Sequence, residues 1–143
     1  MHLWTQLFWA GVLTVLCLLA HGFGIVVITR VLRLEEQRLR NKQLGAGAFL
    51  LLTGVALGVF VLHLVEIAVF AAFYLAAGIL PRLDQALFFS ASAYSTLGTV
   101  DLDLPDNWRL VGAIEGVAGF LLLGWSTAFF VTDMNLLLRQ KPR

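Results

Sequence analysis

Three long runs of apolar residues, separated by short charged or turn-forming segments, set the layout of the chain. They extend from about Leu3 to Thr29, from about Gly45 to Ile79 and from about Trp108 to Leu138. Each is longer than the roughly 20 residues that a helix needs to cross the hydrocarbon core of a bilayer. A fourth apolar run, Asp84 to Ser95, covers only about 18 Å as a helix and cannot cross. Pro81 ends the second long helix, and Asp84 is the expected N-cap of the short one.

The charged segments orient this layout. Arg30 to Gln43 carries Arg30, Arg33, Arg38, Arg40 and Lys42 against Glu35 and Glu36, and the Glu36–Arg40 spacing extends the first helix. Arg139, Lys141 and Arg143 follow the last one. Both basic clusters belong on the cytoplasmic side under the positive-inside rule, so the N-terminus is expected outside a cell membrane and the C-terminus in the cytoplasm. Trp4 and Trp9 stand where interfacial anchors stand. The first run has no basic n-region and is too long for a signal-peptide core, so it reads as a retained span. Gly54 and Gly58 form a GxxxG pair suited to close helix approach. The fold class is therefore an all-α membrane protein, divided at residues 1–43 (first span and basic linker) and 44–143.

Composition strengthens this reading and removes others. Of 143 residues, 59% are hydrophobic and 13% are charged, about half the charge of an ordinary soluble domain. The mean hydropathy is +0.86. A net charge of +1, with its basic residues at membrane boundaries, points to no nucleic-acid partner. Cys17 lies inside the first span and reads as packing. The spacing contains no nucleophile–base pair, and the histidines are scattered, so neither an enzyme nor a metal cluster is expected.

Non-helical backbone is tolerated at membrane depth only where protein surrounds it or where it lines a water-filled path. The short helix and the loop after it, Ser95-Thr96-Leu97-Gly98-Thr99-Val100-Asp101, are therefore expected to re-enter the membrane from outside. Outer helix, short helix, hydroxyl- and glycine-bearing loop and inner helix follow in an order that resembles the pore module of the tetrameric potassium-channel superfamily. The filter of that family reads Thr-Val-Gly-Tyr-Gly. The resemblance covers about Phe49 to Asn135. Within it, His63-Leu64-Val65-Glu66, with Phe73-Tyr74 after it, looks like the outer helix of small prokaryotic members.

The resemblance implies a homotetramer in the lipid bilayer, because one chain supplies a quarter of a fourfold filter. It implies that the carbonyls of Thr96, Leu97, Gly98 and Thr99, with the Thr96 hydroxyl, coordinate K+, and that Val100 completes the filter. No cofactor is implied besides permeant K+ or another monovalent cation. Gly98 meets the need for left-handed backbone, but Val100 stands in place of the second glycine and Thr99 in place of the tyrosine. The outer end of the filter is accordingly expected to be remodelled. Asp101, Asp103 and Asp106 would gather twelve carboxylates at one extracellular mouth, or form a solvated hairpin.

The ionisable and glycine positions of the spans leave alternatives open. His21 is expected to bond a neighbouring helix. His63 and Glu66, three apart on one face, form a structural pair, brace the filter from behind or sense pH. Glu115 is placed behind the filter or at the mouth, and Asp133 near the inner entrance. Gly124, then Gly119, are the hinge candidates, with Thr127 and Val131 lining the cavity. The competing role for these glycines, with Gly112 and Gly116, is close packing. No span carries arginines at helical spacing, so a built-in voltage sensor is not expected. The expected function is passive cation conduction, potassium first, with weak selectivity open. The alternative is a non-conducting structural or regulatory subunit disabled at Thr99 and Val100.

Overall fold

The structure, a computed structural model, describes residues 3–39, 46–98 and 104–139. Thr99, Val100, Asp101 and Asp103 lie outside the described residues, as do Arg40, Lys42 and the side chain of Asp133. Four helices follow one another: α1 (Leu3–Leu39), α2 (Ala46–Ala76), α3 (Leu83–Tyr94) and α4 (Arg109–Arg139). No strand occurs among the described residues. Three stretches are long and apolar enough to cross a membrane: Leu3–Leu34, Phe49–Ala76 and Arg109–Thr132, with mean hydropathies of 2.4, 2.4 and 1.6. The basic segment continues α1 as helix as far as Leu39.

The ends of the elements depart from the sequence expectation for local reasons. α2 stops at Ala76, because Gly78 turns left-handed at φ 66°. The Gly78 and Ile79 N–H groups then bond back to the Leu75 and Tyr74 carbonyls, a Schellman cap. Ile79 and Leu80 fold under the helix into the core. α3 begins one residue before the expected cap: the Arg82 carbonyl accepts the first helical bond from Ala86, at 3.0 Å. Asp84 therefore lies in the first turn. There its carboxylate faces the positive end of the helix dipole and takes both arms of the Arg82 guanidinium, at 3.0 and 2.7 Å.

α3 is wedged between α2 and α4, and α1 packs on α2 and α4. Lipid tails are as apolar as leucine, so close packing and interhelical hydrogen bonds hold such helices together, not hydrophobic burial. The α3–α4 contact shows how close that packing is. A Cβ at Gly119 would stand 2.2 Å from the Tyr94 carbonyl oxygen, and one at Gly116 would stand 3.1 Å from that of Ala93. At Gly119 only glycine admits the α3 backbone, and at Gly116 a side chain would press on it. A Cβ at Gly58 of the GxxxG pair would touch Ile28 of α1, whereas one at Gly54 would meet no other element within 4 Å. The Gln6 side chain accepts the Leu110 N–H at 3.2 Å, so the first turns of α1 cap the start of α4. Phe70, Tyr74, Phe89 and Leu122 fill the centre.

Candidate functional site

Isolated polar groups inside apolar helices need partners from other helices, because lipid supplies none. Two groups of residues meet that need in this fold. In the first, Glu115 of α4 is fully buried and bonded to two other helices. Tyr74 Oη of α2 donates to Glu115 Oε2 at 2.7 Å. Ser90 Oγ of α3 lies 2.5 Å from Glu115 Oε1 and 2.8 Å from the Ile67 carbonyl, so its single hydrogen is shared between them. The Glu115 carboxyl group thus ties together α2, α3 and α4.

The second group is a closed ring drawn from all four helices. His21 Nδ1 of α1 stands 2.7 Å from Glu66 Oε1 of α2. Glu66 Oε2 accepts the hydroxyl of Tyr94, the last residue of α3. Tyr94 Oη lies 2.7 Å from His63 Nδ1 of α2, which is also 3.1 Å from Glu66 Oε2. Ser126 Oγ of α4 closes the ring, 3.0 Å from His63 Nε2 and 3.3 Å from His21 Nε2. His21 and Glu66 are fully buried, and Trp125 covers the His21 ring at 5.3 Å. Cys17, buried beside them, points its Sγ at the Glu66 carbonyl 3.9 Å away.

Counting hydrogens decides what state satisfies this ring. Five links close the ring of five residues, each needing one hydrogen, and the His63–Glu66 contact crosses it, sharing the hydrogen at His63 Nδ1. Tyr94, Ser126 and two neutral imidazoles bring four when Glu66 is ionised. The fifth is one extra proton, held as an imidazolium beside the carboxylate or on the carboxyl group itself. A fully bonded ring is therefore electrically neutral, the condition that burial in an apolar bundle favours.

Comparison with family models, with curated proteins and with solved structures finds no match.

His63 and Glu66 do share a face and do bond each other, and His21 reaches a neighbouring helix. Glu66 meets α3 through the Tyr94 hydroxyl, not through backbone. Glu115 meets α3 through Ser90. Among the described residues after α3, Thr96 and Gly98 have positive φ, at 59° and 77°, and with Leu97 they are exposed. The Leu97 and Thr96 N–H groups bond the Ser92 and Ala93 carbonyls, so Thr96 holds the Schellman position usually given to glycine. Thr96 and Gly98 border an open groove of about 550 Å³, whose far wall is Gly112, Gly116, Val117 and Phe120 of α4. Asp106 pairs with Arg109 at 3.1 Å.

On α4, Glu115, Leu122 and Ser126 face inward, whereas Gly124, Thr127 and Val131 are exposed on the single chain. The helix is unbroken through Gly119 and Gly124. Sequence reasoning left Tyr94, Ser126, Tyr74 and Ser90 without roles and judged the histidines too scattered to make a site; the fold brings two of them onto one carboxylate. The signal that could have found them is the partner requirement itself: each polar group inside a span demands a polar counterpart on another helix.

Proposed function

We propose that the chain is the pore-forming subunit of a homotetrameric cation channel, with potassium the leading permeant ion. Four copies of α3 and the loop after it would converge on one axis, α2 outside and α4 inside. The observation that carries this reading is the short helix between two spans, followed by left-handed backbone at alternate residues, Thr96 and Gly98. Alternating handedness turns successive carbonyls toward one side, which a cation leaving water requires. The buried carboxylates Glu66 and Glu115 support it by holding α3 from behind.

In this arrangement Thr96, Leu97, Gly98 and Thr99 supply the coordinating oxygens. Asp101, Asp103 and Asp106 ring the extracellular mouth, and the C-terminus is cytoplasmic. Gly124, Thr127 and Val131, exposed on one chain, would face the cavity or a neighbouring subunit. A second reading draws on the Ser92 and Ala93 carbonyls, which are occupied by loop N–H groups, and on the valine at position 100. These favour a subunit that keeps the architecture and does not conduct.

Cation flux into liposomes under potassium or sodium gradients, with wild type beside Val100→Gly, separates the two. Potassium-preferring flux in wild type is expected. Flux without preference would mean a widened, non-selective pore. A silent wild type with flux restored by the glycine would replace the channel reading with the non-conducting one and place the block at Val100.

A further inference from the structure

The buried ring has the donor set and the geometry of a metal centre. His21 Nδ1 and His63 Nδ1 converge on the two oxygens of one carboxylate, at 2.7 and 3.1 Å. One ligand atom from each of the three residues lies within 4.8 Å of the others. Ligands on a tetrahedral ion at 2.0–2.1 Å stand roughly 3.3 Å apart, so each histidine must move off the carboxylate, by about 0.6 Å or less, and the two imidazoles, within 4.8 Å of each other, must draw together around the ion.

The surroundings fit as well. Metal-bound histidines hold their second ring nitrogen on a fixed acceptor. Here both Nε2 atoms lie on Ser126 Oγ, at 3.3 and 3.0 Å, and that oxygen has two lone pairs to receive two N–H donors. Tyr94 donates to the carboxylate, and its contact with His63 Nδ1 gives way to the ion. The ligands come from two long helices, α1 and α2, which are tied to α4 through Ser126. The His63 side chain is 11% exposed, whereas His21 and Glu66 are fully buried.

We propose that His21, His63 and Glu66 bind one divalent first-row transition-metal ion per chain, through the two Nδ1 atoms and the carboxylate. Two imidazoles and a carboxylate suit zinc, cobalt, nickel or copper and not the alkali or alkaline-earth cations. On binding, both histidines carry their hydrogen on Nε2 and donate to Ser126. The hydrogens of the ring fall from five to four, and one proton leaves for each ion bound. The bound ion clamps α1 to α2 directly behind the end of α3. Every ligand comes from one chain, so the site is independent of the channel reading, and a protein that conducts nothing would still bind.

The test uses the full-length, tag-free protein in detergent, carrying His2→Ala to remove the remaining histidine, with cobalt(II) and zinc(II) as probes. One cobalt per chain is expected, with the visible absorption of a tetrahedral site. His21→Gln and His63→Gln should each weaken binding by more than ~100-fold, and Ser126→Ala, which keeps every ligand, by about 10- to 100-fold. X-ray absorption of the zinc-loaded protein with all three ligands intact needs no ligand variant to fold. It should show two imidazoles in a nitrogen/oxygen shell at about 2.0–2.1 Å. Absence of binding, binding by either glutamine variant as tight as that of the parent protein, or a sulfur shell near ~2.3 Å that implicates Cys17 would overturn the assignment.

Discussion

The hydroxyl of Tyr94 is bonded to the carboxylate of Glu66, joining the last residue of α3 to the middle of α2. Two residues beyond that bond the backbone turns left-handed at Thr96. The loop therefore departs from a point that is anchored by a buried acid.

Removing the anchor has a calculable effect. Tyr94→Phe keeps the ring in its packed position and deletes one donor to a buried carboxylate. It should lower the unfolding free energy by about 1.5–3 kcal/mol, the range for a hydrogen bond to a charged group. Denaturant titration in detergent would measure this. A phenylalanine variant as stable as wild type would show that the bond contributes nothing.

Two glycines of α4 should respond oppositely to the same methyl group. Gly119→Ala places a Cβ 2.2 Å from the Tyr94 carbonyl oxygen, and should destabilise by at least about 1–3 kcal/mol as α3 is pushed away. Gly124→Ala meets nothing within 4 Å and should stabilise the helix by up to about 1 kcal/mol. If Gly124 is a gating hinge, liposome flux in that variant falls while its melting temperature rises. Unchanged flux would remove it from the gating mechanism.

Thr96 holds a left-handed conformation that disfavours every side chain bearing a Cβ, by roughly 1–2 kcal/mol. Thr96→Gly should therefore leave stability unchanged or raise it, by less than about 1 kcal/mol once the greater freedom of the unfolded glycine is counted. Under the channel reading the same variant loses a coordinating hydroxyl and should lose potassium preference. A drop in stability would mean that the threonine side chain makes contacts that outweigh its strained backbone.

Asp84 provides a pH-dependent control far from the ring. The Arg82 guanidinium beside it holds its carboxyl below the ordinary carboxylate range. A depressed folded-state value means that the contribution is present above the unfolded value and disappears as pH falls through the folded one. Both groups are exposed, so the contribution is small and screened by salt. The stability difference between wild type and Asp84→Asn should be greatest at neutral pH in low salt, shrink at high salt and vanish in strong acid. A difference that persisted in acid would assign the role of Asp84 to something other than its charge.

The length and count of the helices were legible because they depend on local quantities. An apolar run longer than a bilayer crossing makes α1, α2 and α4, and a 12-residue run cannot make a fourth span. Even the partner requirement of His21 was visible, since a lone histidine inside an apolar helix must bond to something. Cap positions are less legible in the sequence. Asp84 looked like an N-cap by residue type, but the helix began at Leu83, and the left-handed turn at Gly78 ended α2 three residues before the expected end at Ile79.

What the chain alone determined was an all-helical protein with three apolar helices, a short one between the second and third, and ionisable groups inside them. Tertiary structure alone decided which of those groups meet. His21 and Glu66 are 45 residues apart, and Ser126 is 105 residues from His21. Neither distance along the chain carries information about helix rotation or crossing depth. Those are set by packing, above all by the bare glycine face of α4 that lets the end of α3 approach and brings Tyr94 to the carboxylate.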